Sequence, residues 1–162
     1  MIMRMMKTMM NNKKYNFYDT SSLLKRATDL FDDPDEKIII SSITLEELED
    51  IKTSHNKDMD IKYAARKLLH TIDENRSKIE IVIFRPSMLA AIEEKDLSVN
   101  NDMKILACAN WYNNTSKEAT DDVHFITNDL ALKQIANLFF GDSMIDSIPE
   151  VEKDEYLGYK EI

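Results

Sequence analysis

The sequence predicts an α/β protein whose central parallel sheet is covered by helices on both faces. Short apolar runs alternate along the chain with segments whose apolar residues recur at helical spacing. The run Ile38-Ile39-Ile40 is continuous rather than alternating, which is typical of a strand buried on both faces. A length of 162 residues is enough for one domain with a sizeable core.

The first strand–helix unit is predicted from Tyr15 onwards. Tyr15, Phe17 and Tyr18 are strong strand formers, and the cluster Asp19-Thr20-Ser21-Ser22 behind them favours a turn and a helix N-terminus. The helix that follows has its apolar positions at Leu23, Leu24, Ala27, Leu30 and Phe31. The segment 32–35, Asp-Asp-Pro-Asp, ends this unit and leads into a second strand at 37–41.

The later elements follow the same alternation. Helices are expected through Leu45–Ile51, over 61–72, as one short helix within 87–97, from Asn100 through Ala109, and from Asn128 through Ala136. Further strands are expected at 79–84, at 123–127 and, briefly, at 143–145, with loops at 53–58 and 113–121. This order predicts a sheet of four to five strands.

The ends of the chain are expected to lie outside the globular domain. Residues 1–14 are methionine-rich but interrupted by charges, so they predict a flexible extension rather than a signal peptide. Residues 15–148 form the predicted domain, and the acidic residues 149–162 are predicted to be an exposed tail or a surface helix. No stretch has the length of a membrane span, so a cytoplasmic location is the expectation.

The composition excludes several classes of site. The formal net charge of −9 repels phosphate backbones, so nucleic-acid binding must depend on a local basic patch or on metal ions. A single cysteine, Cys108, excludes an internal disulfide and a cysteine-rich zinc site, and the three histidines are not paired at ligand spacing. The two glycines argue against a glycine-rich phosphate loop.

Four acidic residues follow a predicted strand or open a predicted helix: Asp19, Glu47, Asp102 and Asp129. Three of these positions project from the carboxyl edge of a parallel sheet, where ligands bind in open α/β sheets. Clustered carboxylates without basic neighbours cannot all stay ionised unless a cation neutralises them, and oxygen ligands suit Mg²⁺ or Mn²⁺. The structural alternative is that the three aspartates are helix caps and that Thr44 to Glu47 is a capping box.

The same residues resemble the PIN domain family, most closely the PIN domain that precedes the ATPase in PhoH-like proteins. The resemblance rests on four motifs in order, namely 18–21 (Tyr-Asp-Thr-Ser), 45–49 (Leu-Glu-Glu-Leu-Glu), 101–107 (Asn-Asp-Met-Lys-Ile-Leu-Ala) and 125–129 (Phe-Ile-Thr-Asn-Asp). It implies a three-layer α/β/α sandwich and a Mg²⁺- or Mn²⁺-dependent ribonuclease whose catalytic and metal-binding residues are Asp19, Glu47, Asp102 and Asp129. Because no ATPase domain follows, we expect activity without coupling to ATP.

The resemblance also assigns supporting positions. Thr127 lies where the family often has a small hydroxyl residue near the metal, and Ser21 replaces the usual Asn. Asn128 stands where some members have another Asp, which predicts weaker metal binding. Lys104 and Lys133 lie one turn from the acids and Arg66 lies in a basic helix, so these are the predicted nucleic-acid contacts, with a plain charged surface as the alternative.

The function predicted from the sequence is therefore an endoribonuclease acting on single-stranded RNA. The alternative is a catalytically degenerate PIN-like module that binds RNA or protein, which Ser21, Asn128 and the acidic surface favour. A phosphatase with Asp19 as covalent nucleophile is a poorer fit, since Ser21 stands where a second aspartate is expected. A homodimer and a protein partner such as an antitoxin are expected by resemblance only.

Overall fold

The structure, a computed structural model, describes residues 13–115 and 122–149. Within these ranges the strands are β1 (Lys14–Tyr18), β2 (Glu36–Ser41), β3 (Ile79–Val82), β4 (Val123–Ile126) and β5 (Ile145–Asp146). They form one sheet in the order β3-β2-β1-β4-β5, and every neighbouring pair is parallel. The predicted parallel sheet is confirmed, with five strands.

Six α-helices flank the sheet in the described residues: α1 (Thr20–Arg26), α2 (Ser42–Thr53), α3 (Met59–Glu74), α4 (Ala90–Glu93), α5 (Asn101–Thr115) and α6 (Leu130–Ala136). Helices α1, α2 and α3 contribute Leu23, Leu48 and Leu68 to the core on one face of the sheet. Helices α4, α5 and α6 contribute Ile92, Leu106 and Leu132 to the core on the other face. The three-layer α/β/α sandwich is therefore confirmed.

The two cores arise from the pleat of the central strands. Successive side chains of a strand point to opposite faces, so Phe17 of β1 belongs to one core and Tyr18 to the other. The same alternation separates Phe125 from Ile126 in β4. All four side chains are almost fully buried, which fixes the register of the two strands that precede Asp19 and Thr127.

Several element boundaries differ from the sequence prediction. Strand β1 begins at Lys14, inside the predicted extension, and α5 runs to Thr115, into the predicted loop at 113–121. The fifth strand is Ile145–Asp146, because residues 142–144 form a 3₁₀ turn. The remaining parts of the predicted extension (1–12), loop (116–121) and tail (150–162) lie outside the described residues.

The first helix also ends earlier than its apolar spacing predicts. Helix α1 stops at Arg26, and Ala27 adopts φ 36° and ψ −99°, a conformation that side chains rarely allow. A 3₁₀ turn over Ala27–Asp29 then brings Leu30 into the core. Leu30 is therefore buried, as the helical spacing of apolar residues predicts, although the α-helix has ended before it.

The strand order contains one reversal, and it falls next to β1. The chain builds β2 and β3 on one side of β1, then crosses to place β4 on the other side. In open α/β sheets a crevice forms at such a point, outside the carboxyl ends of the strands. Here the two strands that flank it are β1, followed by Asp19, and β4, followed by Thr127 to Asp129.

A buried polar cluster fixes the end of β1 just before this crevice. The Tyr18 hydroxyl donates to Glu36 Oε2, and Arg26 Nη1 donates to the Tyr18 oxygen at 2.7 Å. Arg26 Nη1 also lies 3.4 Å from Glu36 Oε1. Burial, and then the contact with Glu36, raises the pKa of the Tyr18 phenol. The cluster ties β1, β2 and the end of α1 together on either side of Asp19.

Candidate active site

Asp19 lies at the carboxyl end of β1 and is held by three hydrogen bonds. Its Oδ1 accepts from the Ser22 amide at 2.9 Å and from the Ser22 hydroxyl at 2.5 Å, and its Oδ2 accepts from the Thr127 hydroxyl at 2.6 Å. Only 3% of the residue is exposed. Burying a polar group is costly unless it is hydrogen-bonded, and here two of the three donors are hydroxyls.

Thr127 connects Asp19 to Asp129. Its hydroxyl donates to Asp19 and accepts from the Asp129 amide at 3.1 Å, so one fully buried side chain contacts two of the predicted site residues. Asp129 is exposed and caps α6, since its Oδ1 accepts from the amides of Ala131 and Leu132 at 2.9 and 3.1 Å. Asp129 is thereby fixed beside the end of β1.

Glu47 reaches the same edge from the second turn of α2. Its Oε1 accepts from the Thr20 hydroxyl at 2.7 Å, which joins α2 to the first residue of α1. The neighbouring Glu46 is exposed, whereas Glu47 is half-buried. The preference for Glu47 over Glu46 therefore agrees with where the two side chains lie.

Asp102 lies in the first turn of α5 and is half-buried. Burial raises the pKa of its carboxyl, and the nearby carboxylates of Glu47, Asp129 and Asp19 raise it further. Among the described residues, no lysine or arginine forms an ion pair with any of these four acids. The structure thus brings the four predicted acids together as a cluster of uncompensated negative charge.

The chemistry of this donor set fits a hard divalent cation. All four groups are carboxylates, and their mutual repulsion would fall if a cation lay between them. Within the described ranges, however, no three Asp, Glu, His or Cys side chains are arranged so that they could hold a metal ion together. Mg²⁺ usually keeps several waters and is bound through one or two carboxylates together with substrate phosphates.

Helix capping explains two of the four acids. Asp19 and Asp129 are indeed N-caps, of α1 and α6. The cap at the start of α5 is Asn100, whose Oδ1 accepts from the Met103 amide at 2.9 Å. The capping-box alternative for Glu47 is wrong, because α2 is capped by Ser41 and Glu47 binds Thr20 instead. Helix capping therefore does not account for the presence of Glu47 and Asp102 at their positions.

The other predicted positions are less closely tied to the cluster. Ser21 is exposed, and the buried hydroxyl that contacts Asp19 belongs to Ser22. The ammonium of Lys104 lies 5.6 Å from the centre of the Phe84 ring, Lys133 is half-buried on α6, and Arg66 is exposed on α3. The roles of Ser21, Lys104, Lys133 and Arg66 stay predictions.

Asn128 has a structural task. Its Nδ2 donates to the Ile148 carbonyl at 2.8 Å, and its Oδ1 accepts from the Ile148 amide at 2.9 Å. The Ser147 hydroxyl donates to the Thr127 carbonyl at 2.9 Å. Asn128 thus fastens the segment after β5 beside the site, and an Asp at this position could not make both bonds.

The sequence reasoning did not single out Thr20 and Ser22. Ser22 is the third residue of α1, the position whose amide and side chain normally contact an N-cap, so the spacing from Asp19 was an available signal. Thr20 has no such signal, because its contact with Glu47 depends on how α1 and α2 are placed.

The cysteine is buried, whereas two of the three histidines are exposed. Cys108 is buried in the α5 core, and burial raises the pKa of its thiol to about 12. His55 and His70 are exposed, and His124 of β4 contacts Asp146 of β5 at 2.5 Å. None of the helices in 13–115 and 122–149 is long and apolar enough to cross a membrane.

Comparison with known proteins identifies the fold. The PIN domain of RRP44 from T. brucei has 14% sequence identity and a TM-score of 0.50, and the match covers 93% of this chain and 83% of that one. VapBC2 from Rickettsia felis, bound to a promoter DNA fragment, has 21% identity and a TM-score of 0.49, with 82% and 98% covered. VapBC-5 from Mycobacterium tuberculosis, a member of the VapBC toxin–antitoxin family, has 17% identity and a TM-score of 0.49, with 84% and 98% covered.

The family follows from a sequence model rather than from these distant structures. No match was found among curated proteins. The family model described as PIN domain matches residues 17–139, which extend from β1 to just beyond α6 and include all four acids of the cluster. This chain therefore belongs to the PIN domain family.

Proposed function

We propose that this protein is a Mg²⁺- or Mn²⁺-dependent endoribonuclease that hydrolyses phosphodiester bonds in single-stranded RNA. The catalytic and metal-binding residues in this proposal are Asp19, Glu47, Asp102 and Asp129. PIN domains are commonly metal-dependent nucleases, and membership of that family supports the class of reaction. The observation that carries the proposal is the convergence of Glu47, Asp129 and Asp19 on the half-buried Asp102, with no ion pair from a described lysine or arginine to any of the four.

Each acid has a distinct part in this proposal. Asp19 is the fixed ligand, because Ser22 and Thr127 hold both of its oxygens in place, and Oδ2, which accepts one hydrogen bond, retains a further lone pair. Glu47 and Asp102 extend from two different helices toward it. All four acids accept hydrogen bonds when ionised, so they orient a water for in-line attack on phosphorus, and no side-chain nucleophile is required.

The cation supplies the remaining chemistry. When bound, Mg²⁺ or Mn²⁺ lowers the pKa of the attacking water and stabilises charge on the phosphodiester oxygens. The protein's own task is to hold the carboxylates in place. Thr127 does this for Asp19, and Thr20 does it for Glu47.

Substrate contacts must be local, because the chain as a whole carries a formal charge of −9. Lys104 lies two residues after Asp102 at the start of α5, and Lys133 lies one turn after Asp129 in α6. Arg66 lies on α3, which packs against α2. We propose that these three side chains contact RNA phosphates and thereby offset the acidic surface.

The test is cleavage of structured and unstructured RNA and DNA with Mn²⁺ or with EDTA, with mapping of the cut sites. We expect cuts in unstructured RNA that require the metal. Asp19→Asn and Asp102→Asn should abolish cleavage while melting as folded proteins, and Glu46→Gln is the matched control because Glu46 is an exposed neighbour of Glu47. Normal cutting by both Asn variants would refute the assignment.

A degenerate PIN module that binds RNA or protein is the second candidate. The observation that favours it is that no three of the described acids form a ready-made metal site. Calorimetric titration with Mn²⁺ separates the two functions, because a degenerate site gives no heat above the dilution background, whereas the proposed nuclease gives a saturable signal.

The sequence predictions on assembly and location extend this proposal. We propose that residues 15–148 act as the nuclease domain in the cytoplasm, either as a homodimer or with a protein partner such as an antitoxin. Light scattering of the purified chain tests for the homodimer, and a monomer at micromolar concentration would contradict that proposal.

A further inference from the structure

The hydroxyls of two buried threonines, Thr44 and Thr20, are linked by hydrogen bonds to the Glu47 carboxylate. Thr20 Oγ1 lies 2.7 Å from Glu47 Oε1 and 3.1 Å from Thr44 Oγ1. Thr44 is fully buried and Thr20 is 8% exposed. A third hydroxyl, that of Ser41, lies 3.4 Å from Thr44 Oγ1.

The proton of Thr20 must point to Glu47. A threonine hydroxyl has one proton, and an ionised carboxylate can only accept a hydrogen bond. Thr20 therefore donates to Glu47, and its oxygen is left to accept from Thr44. Hydrogen bonds to a charged acceptor are about twice as strong as neutral ones. The bond to Glu47 therefore decides the donor direction in this series of hydrogen bonds, from Thr44 to Thr20 to Glu47.

Glu47 needs such an anchor. It is a half-buried glutamate with a flexible side chain, and it lies near Asp102 in a cluster whose members repel each other. Without a fixed donor, repulsion would turn its carboxylate toward solvent. The bond from Thr20 holds Oε1, and no side-chain hydrogen bond engages Oε2 within the described residues.

The Thr20 hydroxyl has no separate task in forming the helix. Asp19 is the N-cap of α1, and the Ser22 amide satisfies that cap. Thr20 also does not contact Asp19 through a side-chain hydrogen bond in the described structure, whereas Ser22 and Thr127 do. Within the described residues, the hydrogen bonds of its side chain are with Thr44 and Glu47 of α2.

We propose that Thr20 is a positioning residue, whose hydroxyl holds the Glu47 carboxylate in the cluster so that it can bind the metal. This inference rests on the proposed nuclease function. Removing an outer partner of a metal ligand typically costs about 10–100-fold in metal affinity or activity. We expect a loss of about tenfold, since Glu47 is one of four acids.

The experiment compares Thr20→Val, which replaces the hydroxyl with a methyl group, and Thr20→Ser, which keeps the hydroxyl. Thr20→Ala serves as a second deletion that adds no new group to the buried site. Thr71→Val on α3 is the matched control, because within the part of the chain that the structure describes the Thr71 hydroxyl donates only to the Lys67 carbonyl of its own helix. Each variant is tested for melting temperature, Mn²⁺ affinity by calorimetry, and kcat and KM for RNA cleavage.

We expect Val and Ala at position 20 to weaken Mn²⁺ binding and lower kcat by about tenfold, with the KM for RNA within about twofold of wild type. Serine should restore both values. In a Glu47→Ala background the Thr20→Val change should have no further effect on Mn²⁺ affinity, because its partner is gone. A purely structural threonine would lower the melting temperature without this dependence on Glu47.

Three outcomes overturn the inference. They are wild-type Mn²⁺ affinity in both deletion variants, a Ser variant as impaired as Val, and an undiminished effect of Thr20→Val when Glu47 is already Ala. If wild type itself neither binds Mn²⁺ nor cleaves RNA, the proposed function fails and this inference fails with it. If wild type does both while the Thr20 variants behave like it, only the inference fails.

Discussion

Replacing Thr127 with Val tests how strongly the buried hydroxyls stabilise Asp19. Val has nearly the shape of Thr, so the change removes hydrogen bonds and leaves little cavity. Two contacts are lost, the donation to Asp19 Oδ2 at 2.6 Å and the acceptance from the Asp129 amide at 3.1 Å. The first is made to a buried charged group, where such a bond contributes about 1.5–3 kcal/mol.

The expected magnitude lies within that range. Ser22 continues to donate twice to Asp19 Oδ1, so the carboxylate retains part of its stabilisation. We therefore expect the free energy of unfolding to fall by about 2 kcal/mol. At about 2–4 °C per kcal/mol for a domain of this size, the melting temperature should fall by about 4–8 °C.

The assay is denaturant and thermal unfolding in EDTA, followed by circular dichroism. Thr53→Val is the control, because the exposed Thr53 hydroxyl bonds only the Glu49 and Asp50 carbonyls of its own helix, and it should stay within about 0.5 kcal/mol of wild type. Thr127→Ser should recover most of the loss. A Thr127→Val protein as stable as the Thr53→Val control would refute the reasoning, since Asp19 would then not depend on this donor.

Three further predictions follow from single residues. The folded-state pKa of Asp102 is raised, so the native state holds this proton more tightly and stability falls as pH rises through that pKa. In EDTA, Asp102→Asn should therefore raise the melting temperature at pH 7 more than at about pH 4, and an equal effect at both pH values would contradict the repulsion. Burial raises the pKa of the Cys108 thiol to about 12, so a thiol reagent at pH 8 should label it only after unfolding, and rapid native labelling would contradict this. Ala27 has φ 36°, so Ala27→Gly should raise the free energy of unfolding by about 1 kcal/mol in denaturant titrations, and a decrease would show that the turn is not strained.

The sequence alone predicted the parts of the fold that depend on local patterning. The continuous apolar run at Ile38–Ile40 indicated a strand buried on both faces, and both cores indeed draw on it. The polar residues behind β1 and β4 marked the helix starts at Thr20 and Leu130. Boundaries were less accurate where tertiary contacts override propensity, as where Ala27 ends α1 while Leu30 stays buried.

The site was predictable only as a set of positions. The alternation of strands and helices placed Asp19, Glu47 and Asp129 at the carboxyl edge, and in the structure all three act on the Asp102 carboxyl. The hydroxyls that hold the acids escaped prediction, since Thr20 and Glu47 are 27 residues apart and belong to different helices. Asn128 was interpreted as a position that weakens metal binding, yet its side chain forms two hydrogen bonds with the Ile148 backbone. No local sequence pattern predicts this contact.

The proposed function requires the four carboxylates to serve a single cation site. The most direct measurement is calorimetric titration of Mn²⁺ into wild type, Asp102→Asn and the control Glu46→Gln. We predict saturable binding to wild type and to the control, with binding lost or weakened by about tenfold or more in Asp102→Asn. Equal Mn²⁺ affinity in wild type and Asp102→Asn, or no binding to wild type, would contradict the proposal of a single cation site.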